Sequence, residues 1–247
     1  MSSPIHIIAT LGPASQSKET IRKMADAGMD FVRLNFSWGN HESHAEYIKI
    51  VREVSNESGK PISIILDLSG PRVKEDVGHH VDPNSIITFT EKDKQDALFG
   101  IAHGVEYIAL SYVKNKDDIL ELRTFLKDNN GTAQIIAKIE RREAVIEIEG
   151  IIEVSDMIMI ARGDLGNEFP LEEIPFVEKE LLDITNKHDI PTIVATQMLL
   201  SMTENNVPSR AEVTDEVFAI IGGAEAVMLS EETAKGKYPV EAVAMMK

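Results

Sequence analysis

The chain has 247 residues, 43% hydrophobic and 27% charged, enough for one large core or two small ones. Its 41 acidic and 25 basic residues leave a formal net charge of -16, and without a concentrated basic stripe that surplus excludes non-specific binding to nucleic acid. The absence of cysteine excludes a disulfide framework, a thiolate nucleophile and a cysteine-based metal centre, and fits a reducing cytoplasm.

The N-terminal MSSPIHIIATLG lacks a basic region followed by a long apolar stretch. No later run approaches the roughly 18 apolar residues that span a bilayer, so a soluble cytoplasmic protein without membrane contact is expected. Short β-rich runs then alternate with helical patterns along the chain. Strands are expected at 5–12, 29–35, 61–68, 105–112, 133–140, 156–161, 191–196 and 226–230. Residues with helical spacing lie between them, the first in SKETIRKMADAG, where Ser17 can cap the start and Gly28 the end. Others are NHESHAEYIKIVREVSNESG, KDKQDALFGIAHG, KDDILELRTFLKDNNG, IPFVEKELLDITNKHD, RAEVTDEVFAIIGG and a short final PVEAVAMMK.

Eight β runs with helical linkers predict an α/β fold of one domain over 1–247, a closed (β/α)8 TIM barrel, whose typical size is roughly 250 residues. An open doubly wound sheet is the competing architecture, but TLGPAS after the first strand is not its glycine fingerprint. One connection is unusual: Glu75 to Thr90, after the third strand, reads as a loop with at most one short strand. His79 and His80 within it are read as solvated side chains rather than metal ligands, and the ten methionines as core filling.

Barrel enzymes carry their chemistry at the C-terminal ends of the strands. Those ends hold Arg33, Asn35 and Ser37, then Asp67, Ser111, Lys138 with Glu140, Arg162-Gly163-Asp164, Thr196-Gln197, and Ser230 followed by Glu232. Alternation aims Arg33 with Asn35, and Lys138 with Glu140, to one side. Glu140 and Asp164 follow neighbouring strands and can converge on a Mg2+ or Mn2+ ion. Lys138 and Arg33 then supply cationic donors to a small anionic substrate. Such a set suits chemistry in which charge builds on oxygen, phosphoryl transfer or enolate formation, and not a nucleophilic triad.

The chain also resembles the catalytic barrel of pyruvate kinase. The resemblance is carried, in family order, by ATLGPASQS, AGMDFVRLNFSWGNHESH, EKDKQDALFGIAHGVEYIALSYV, IIAKIE, SDMIMIARGDLGNEFP, TIVATQMLLSM, PSRAEVTDEVFAIIGGAEAVMLS and ETAKGKYPVEAV. It implies that Glu140 and Asp164 hold Mg2+, that Lys138 offsets charge on the phosphoryl group and the enolate oxygen, and that Arg33 contacts the phosphoryl group. It further implies that Ala161, Gly163 and Asp164 line the pocket for the substrate carboxylate, and that Thr196 belongs to the route that protonates the enolate carbon. Asn35, Ser37, Asp67 and the Leu68 carbonyl match a monovalent-cation (K+) site, while Thr10, Pro13 and Lys235 fall where the family meets ADP or ATP.

Where the family writes DTKGPEIR, this chain has Asp67-Leu-Ser-Gly-Pro-Arg-Val-Lys74. Lys74 takes the place of a catalytic arginine without its bidentate fork, Ser69 removes a cation, and Arg72 places a fixed cation that can stand in for K+. Trp38, Glu231 and Arg141 are further departures, the first two towards the nucleotide. The family's lid is expected to be reduced to the Glu75–Thr90 loop, and its C-terminal regulatory domain lies past the matching runs. The resemblance leaves a homo-oligomer open. The implied activity is Mg2+-dependent phosphoryl transfer from phosphoenolpyruvate to ADP through enolpyruvate. Two alternatives stand beside it: a lidless lyase, a pyruvate aldolase or oxaloacetate decarboxylase using the same enolate site without nucleotide, and a non-catalytic paralogue.

Overall fold

Apolar residues two apart along each β run need an interior to face, and eight such runs supply one by closing on themselves. The structure is a computed structural model describing residues 5–74, 79–81 and 87–247. Its barrel strands are β1 (His6–Thr10), β2 (Phe31–Asn35), β3 (Ser63–Asp67), β6 (Tyr107–Leu110), β7 (Gln134–Ile139), β8 (Met157–Ala161), β9 (Thr192–Ala195) and β10 (Ala226–Leu229). All neighbours pair in parallel, and β10 returns to β1, so the expected (β/α)8 barrel is formed.

Two apolar layers result. Ile8, Ile65, Ala109, Ile136, Met159 and Ile193 fill the barrel interior. Residues of opposite parity, such as Val32, Ile64, Ile108 and Ile135, join a larger core under the helices. The main outer helices are α1 (Lys18–Ala27), α2 (His41–Ser58), α3 (Glu91–Ala102), α4 (Lys116–Asp128), α8 (Ile174–Lys187), α9 (Arg210–Ile221) and α11 (Pro239–Met245). Ser17 caps α1 by accepting from the Thr20 N–H and Gly28 ends it at φ 131°, as the sequence predicts. Asn40, Thr90 and Ser209 form capping boxes at α2, α3 and α9.

The structure departs from the sequence reading in three places. The strands are shorter than expected, so Ser111, Glu140 and Thr196 lie just beyond β6, β7 and β9, where the chain is already turning. The segment between β7 and β8 forms two five-residue helices, α5 (Arg142–Ile146) and α6 (Ile148–Ile152), too short to show a clear helical period. After β3 the one short strand expected within Glu75–Thr90 is present as β5 (His79–Val81), but it pairs antiparallel with an unexpected strand before the loop, β4 (Arg72–Lys74), Val73 opposite His80. Residues 75–78 and 82–86 of the expected Glu75–Thr90 loop lie outside the described residues, as do the side chains of Lys74, His79 and His80. The last short helices are α7 (Arg162–Leu165), directly after β8, and α10 (Glu231–Ala234), after β10.

Candidate active site

The barrel's apolar interior ends in a polar layer, because on several strands the residue two beyond a floor residue is polar and shares its face. Ile8, Phe31, Ile65, Ala109 and Ile136 are followed in this way by Thr10, Arg33, Asp67, Ser111 and Lys138. All five polar residues are buried.

These side chains form one connected network. Arg33 Nη1 donates to Thr10 Oγ1 at 3.1 Å and its Nε to Asp67 Oδ2 at 2.6 Å. Lys138 Nζ lies 3.1 Å from Asp67 Oδ1, 2.8 Å from Ser111 Oγ and 2.9 Å from Glu140 Oε1. Glu140 Oε2 accepts the Tyr112 N–H at 2.7 Å, and the Tyr112 hydroxyl donates to Asp164 Oδ1 at 3.0 Å. Arg72 Nη2 closes the line on Asp164 Oδ2 at 3.2 Å. The Lys138–Glu140 spacing thus aims both side chains into one site, and Glu140 and Asp164 meet through Tyr112.

Burial alone would push the Asp67 carboxyl up, but Lys138 and Arg33 outweigh it and hold the pKa below its ordinary value. Burial raises the pKa of Glu140; Lys138 opposes that shift, and the like charge of Asp164 adds to it. Burial and the same two carboxylates raise the Tyr112 hydroxyl, which therefore stays a hydrogen-bond donor.

These features fit a divalent cation. The like charge of Asp164 adds to the cost of ionising Glu140, and Glu140 Oε1 is buried without accepting any hydrogen bond, although it is at ion-pair distance from Lys138. Among the described residues no group of three or more His, Asp or Glu could surround a metal. Glu140 and Asp164 would therefore be the protein's carboxylates, with water or substrate oxygens completing the shell.

The monovalent-cation residues fit their ion less well. The Leu68 carbonyl accepts from Ser111 Oγ at 2.6 Å, Asn35 Oδ1 accepts the Ser37 N–H at 3.0 Å, and both Asp67 oxygens face cations. Arg72 does not enter this set. Its guanidinium reaches the Tyr112 hydroxyl at 2.8 Å and Asp164 instead.

Ala161 ends β8 and runs into α7, which carries the exposed Gly163 and half-buried Asp164. A Cβ on Gly163 would fall 2.7 Å from Thr196 Cγ2, so glycine lets these two strand ends touch. Thr196 has φ 80° and Gln197 φ 56°. A β-branched residue in the left-handed region is strained, and such strain gathers at working sites. Arg162 holds the bend, donating to the Thr196 carbonyl at 2.9 Å while pairing with Glu178 at 3.1 Å and Asp215 at 2.8 Å.

Thr10, Pro13 and Lys235 lie on the β1–β10 side of the mouth. The Ala14 N–H donates to the Ala234 carbonyl at 3.0 Å and Thr233 Oγ1 to the Thr10 carbonyl at 2.9 Å, bringing the turn after β1 against α10. Pro13 is exposed, and exposed Lys235 pairs with Glu231 at 3.0 Å.

Sequence reasoning missed two contributors. Tyr112 follows Ser111 and by alternation should face away, but φ 58° turns it back over the carboxylates. Lys92 arrives from α3, its Nζ 3.0 Å from Ser69 Oγ and 2.5 Å from Asp96 Oδ2, so a cation stands beside the serine after all. The KDK run held no signal for that reach.

A closed parallel barrel with a polar network at the C-terminal mouth of its strands defines the (β/α)8 class of fold. Comparison with known proteins places the chain within it: the family model for the pyruvate kinase barrel domain matches residues 3–87 and 78–243, and the chain belongs to the pyruvate kinase family. It is 38% identical to a pyruvate kinase of Sporosarcina psychrophila over 97% of this chain and 55% of that protein. It is 37% identical to a pyruvate kinase of Thermococcus litoralis over 100% of this chain and 69% of that protein. The chain spans about half the length of most of the curated relatives it matches. The aligned span with the Sporosarcina protein is 323 positions, longer than this chain's 247 residues, so that protein has residues within the match that lack a counterpart here. No helix among the described residues is long and apolar enough to cross a membrane.

Proposed function

We propose that this barrel performs enolpyruvate chemistry, transferring the phosphoryl group of phosphoenolpyruvate to ADP with Mg2+ held by Glu140 and Asp164. The observation that carries the reading is Lys138 Nζ, buried and within 3.1 Å of Asp67, Ser111 and Glu140 at once. A bound divalent cation supplies charge neutralisation at substrate oxygens in such a site.

The residues of the chain do the rest. Lys138, fixed by its partners, offsets charge that builds on the enolate oxygen as the phosphoryl group leaves, and needs no rearrangement to do so. Arg33 directs its guanidinium to the phosphoryl oxygens from the β2 side and Lys74 contributes a second cation. Ala161, Gly163 and Asp164 line the carboxylate pocket, and Thr196, against Gly163, orients the proton delivered to the enolate carbon. Thr10, Pro13 and Lys235 meet the nucleotide. The engagement of Leu68, Asn35 and Asp67 supports activity without K+, because the oxygens that would hold the ion already have partners.

One contact favours a second reading, a lyase that forms the pyruvate enolate from a β-keto acid such as oxaloacetate without nucleotide: Lys235 is already answered by Glu231. Incubation with Mg2+ and phosphoenolpyruvate, with and without ADP, and separately with oxaloacetate, distinguishes the two. ADP-dependent pyruvate is expected from the kinase. Pyruvate from oxaloacetate alone would replace that reading with the lyase, and no product from any substrate would overturn both.

A further inference from the structure

The two cations at ion-pair distance from the carboxylate pair are held in different ways. Lys138 is 4% exposed, with partners on three sides. Arg72 lies on the open side: its side chain is 19% exposed and that of Asp164 31%. Arg72 Nε donates to Tyr112 Oη at 2.8 Å, Nη2 donates to Asp164 Oδ2 at 3.2 Å, and the guanidinium carbon is 5.2 Å from the Tyr112 ring centroid. The Tyr112 hydroxyl takes the other Asp164 oxygen. Both oxygens that a metal would use on Asp164 are therefore engaged by one guanidinium–phenol pair.

An arginine cannot release its proton to relieve crowding by a second cation. A divalent ion between Glu140 and Asp164 would meet this fixed charge within a few ångströms, in surroundings that screen poorly. The charge can leave only by moving, and an unbranched side chain with its guanidinium over an aromatic face at a partly open mouth permits that.

Resting on the reading of Glu140 and Asp164 as the metal carboxylates, we infer that Arg72 is a resident counter-cation: in the free protein it occupies the charge role of the metal at Asp164, and metal binds only as the guanidinium swings off. Metal affinity is then set by a competition within the protein. The released guanidinium remains at the rim, where it favours an anionic ligand entering with the metal.

Mn2+ titration by calorimetry, on the intact chain without substrate, tests this. Arg72→Gln is expected to bind Mn2+ roughly tenfold more tightly than the parent, the scale of removing one like charge nearby. Arg72→Met, which keeps an unbranched side chain without the charge, is read the same way should the glutamine variant not fold. Lys179→Gln makes the same charge change on the outside of α8, where Lys179 pairs with Asp183, and is expected to leave affinity unchanged. Equal or weaker binding by the Arg72 variants, or equal tightening by Lys179→Gln, overturns the inference while leaving the metal site standing. No Mn2+ binding by the parent or by any variant overturns the metal site, and the inference with it.

Discussion

The two halves of the barrel mouth are built differently. On the β3–β8 side Ser111, Lys138, Glu140 and Asp67 are buried, and each charge faces an opposite one at hydrogen-bond distance. On the β1–β10 side Pro13 is exposed, and Lys235 and Glu231 form a pair with side chains 63% and 53% exposed. Buried charges are costly unless their partners are fixed, so the first half is rigid before any ligand arrives. Exposed pairs contribute only about 0–1 kcal/mol and rearrange readily. The β3–β8 half is therefore fixed by buried partners, whereas the β1–β10 half carries an exposed pair that can rearrange.

The largest expected effect comes from breaking the buried half. Lys138→Met removes the cation shared by Asp67 and Glu140, leaving Asp67 paired with Arg33 and Glu140 with only the more distant charge of Arg72 to offset its own. Turnover of the active substrate should fall by roughly 10²–10³-fold, and the melting temperature should fall as well, because a buried charge has lost its partner. Steady-state assays beside thermal melts check this. Near-normal turnover in a folded variant would mean that the network is structural only.

A much smaller effect is expected from the exposed half. Glu231→Gln frees Lys235 for an incoming phosphate, so KM for ADP should fall by a few-fold at low salt while kcat holds. Loss of that difference in high salt would fit a screened surface charge. A change in kcat with KM constant would place Glu231 against the reacting groups and erase the contrast between the halves.

The contrast also explains what could be read from the sequence. Lys138 and Glu140 were legible because two-residue alternation holds up to a strand's end, and Asp67 and Arg33 by the same rule. Tyr112 was hidden because the chain leaves β6 with φ 58°, which cancels alternation at the next residue. The closed barrel was legible from eight β runs with helical spacers. The helices α5 and α6 were not, since five residues complete little more than one helical turn. The paired strands β4 and β5 depend on backbone partners across an intervening segment, which no local pattern records. Arg72 could be found as a departure from the family's acid, but only the fold shows that it reaches Asp164 rather than the oxygens of the monovalent-cation set.

Proton exchange at the methyl group of pyruvate tests the central claim most directly, since it needs the enolate site but no nucleotide, lid or phosphoryl group. In deuterated buffer with Mg2+, the protein should catalyse loss of the methyl proton signal, and a chelator should stop it. No exchange above the buffer rate with Mg2+ present, or exchange unchanged by the chelator, would contradict a metal-assisted enolate site at Lys138, Glu140 and Asp164.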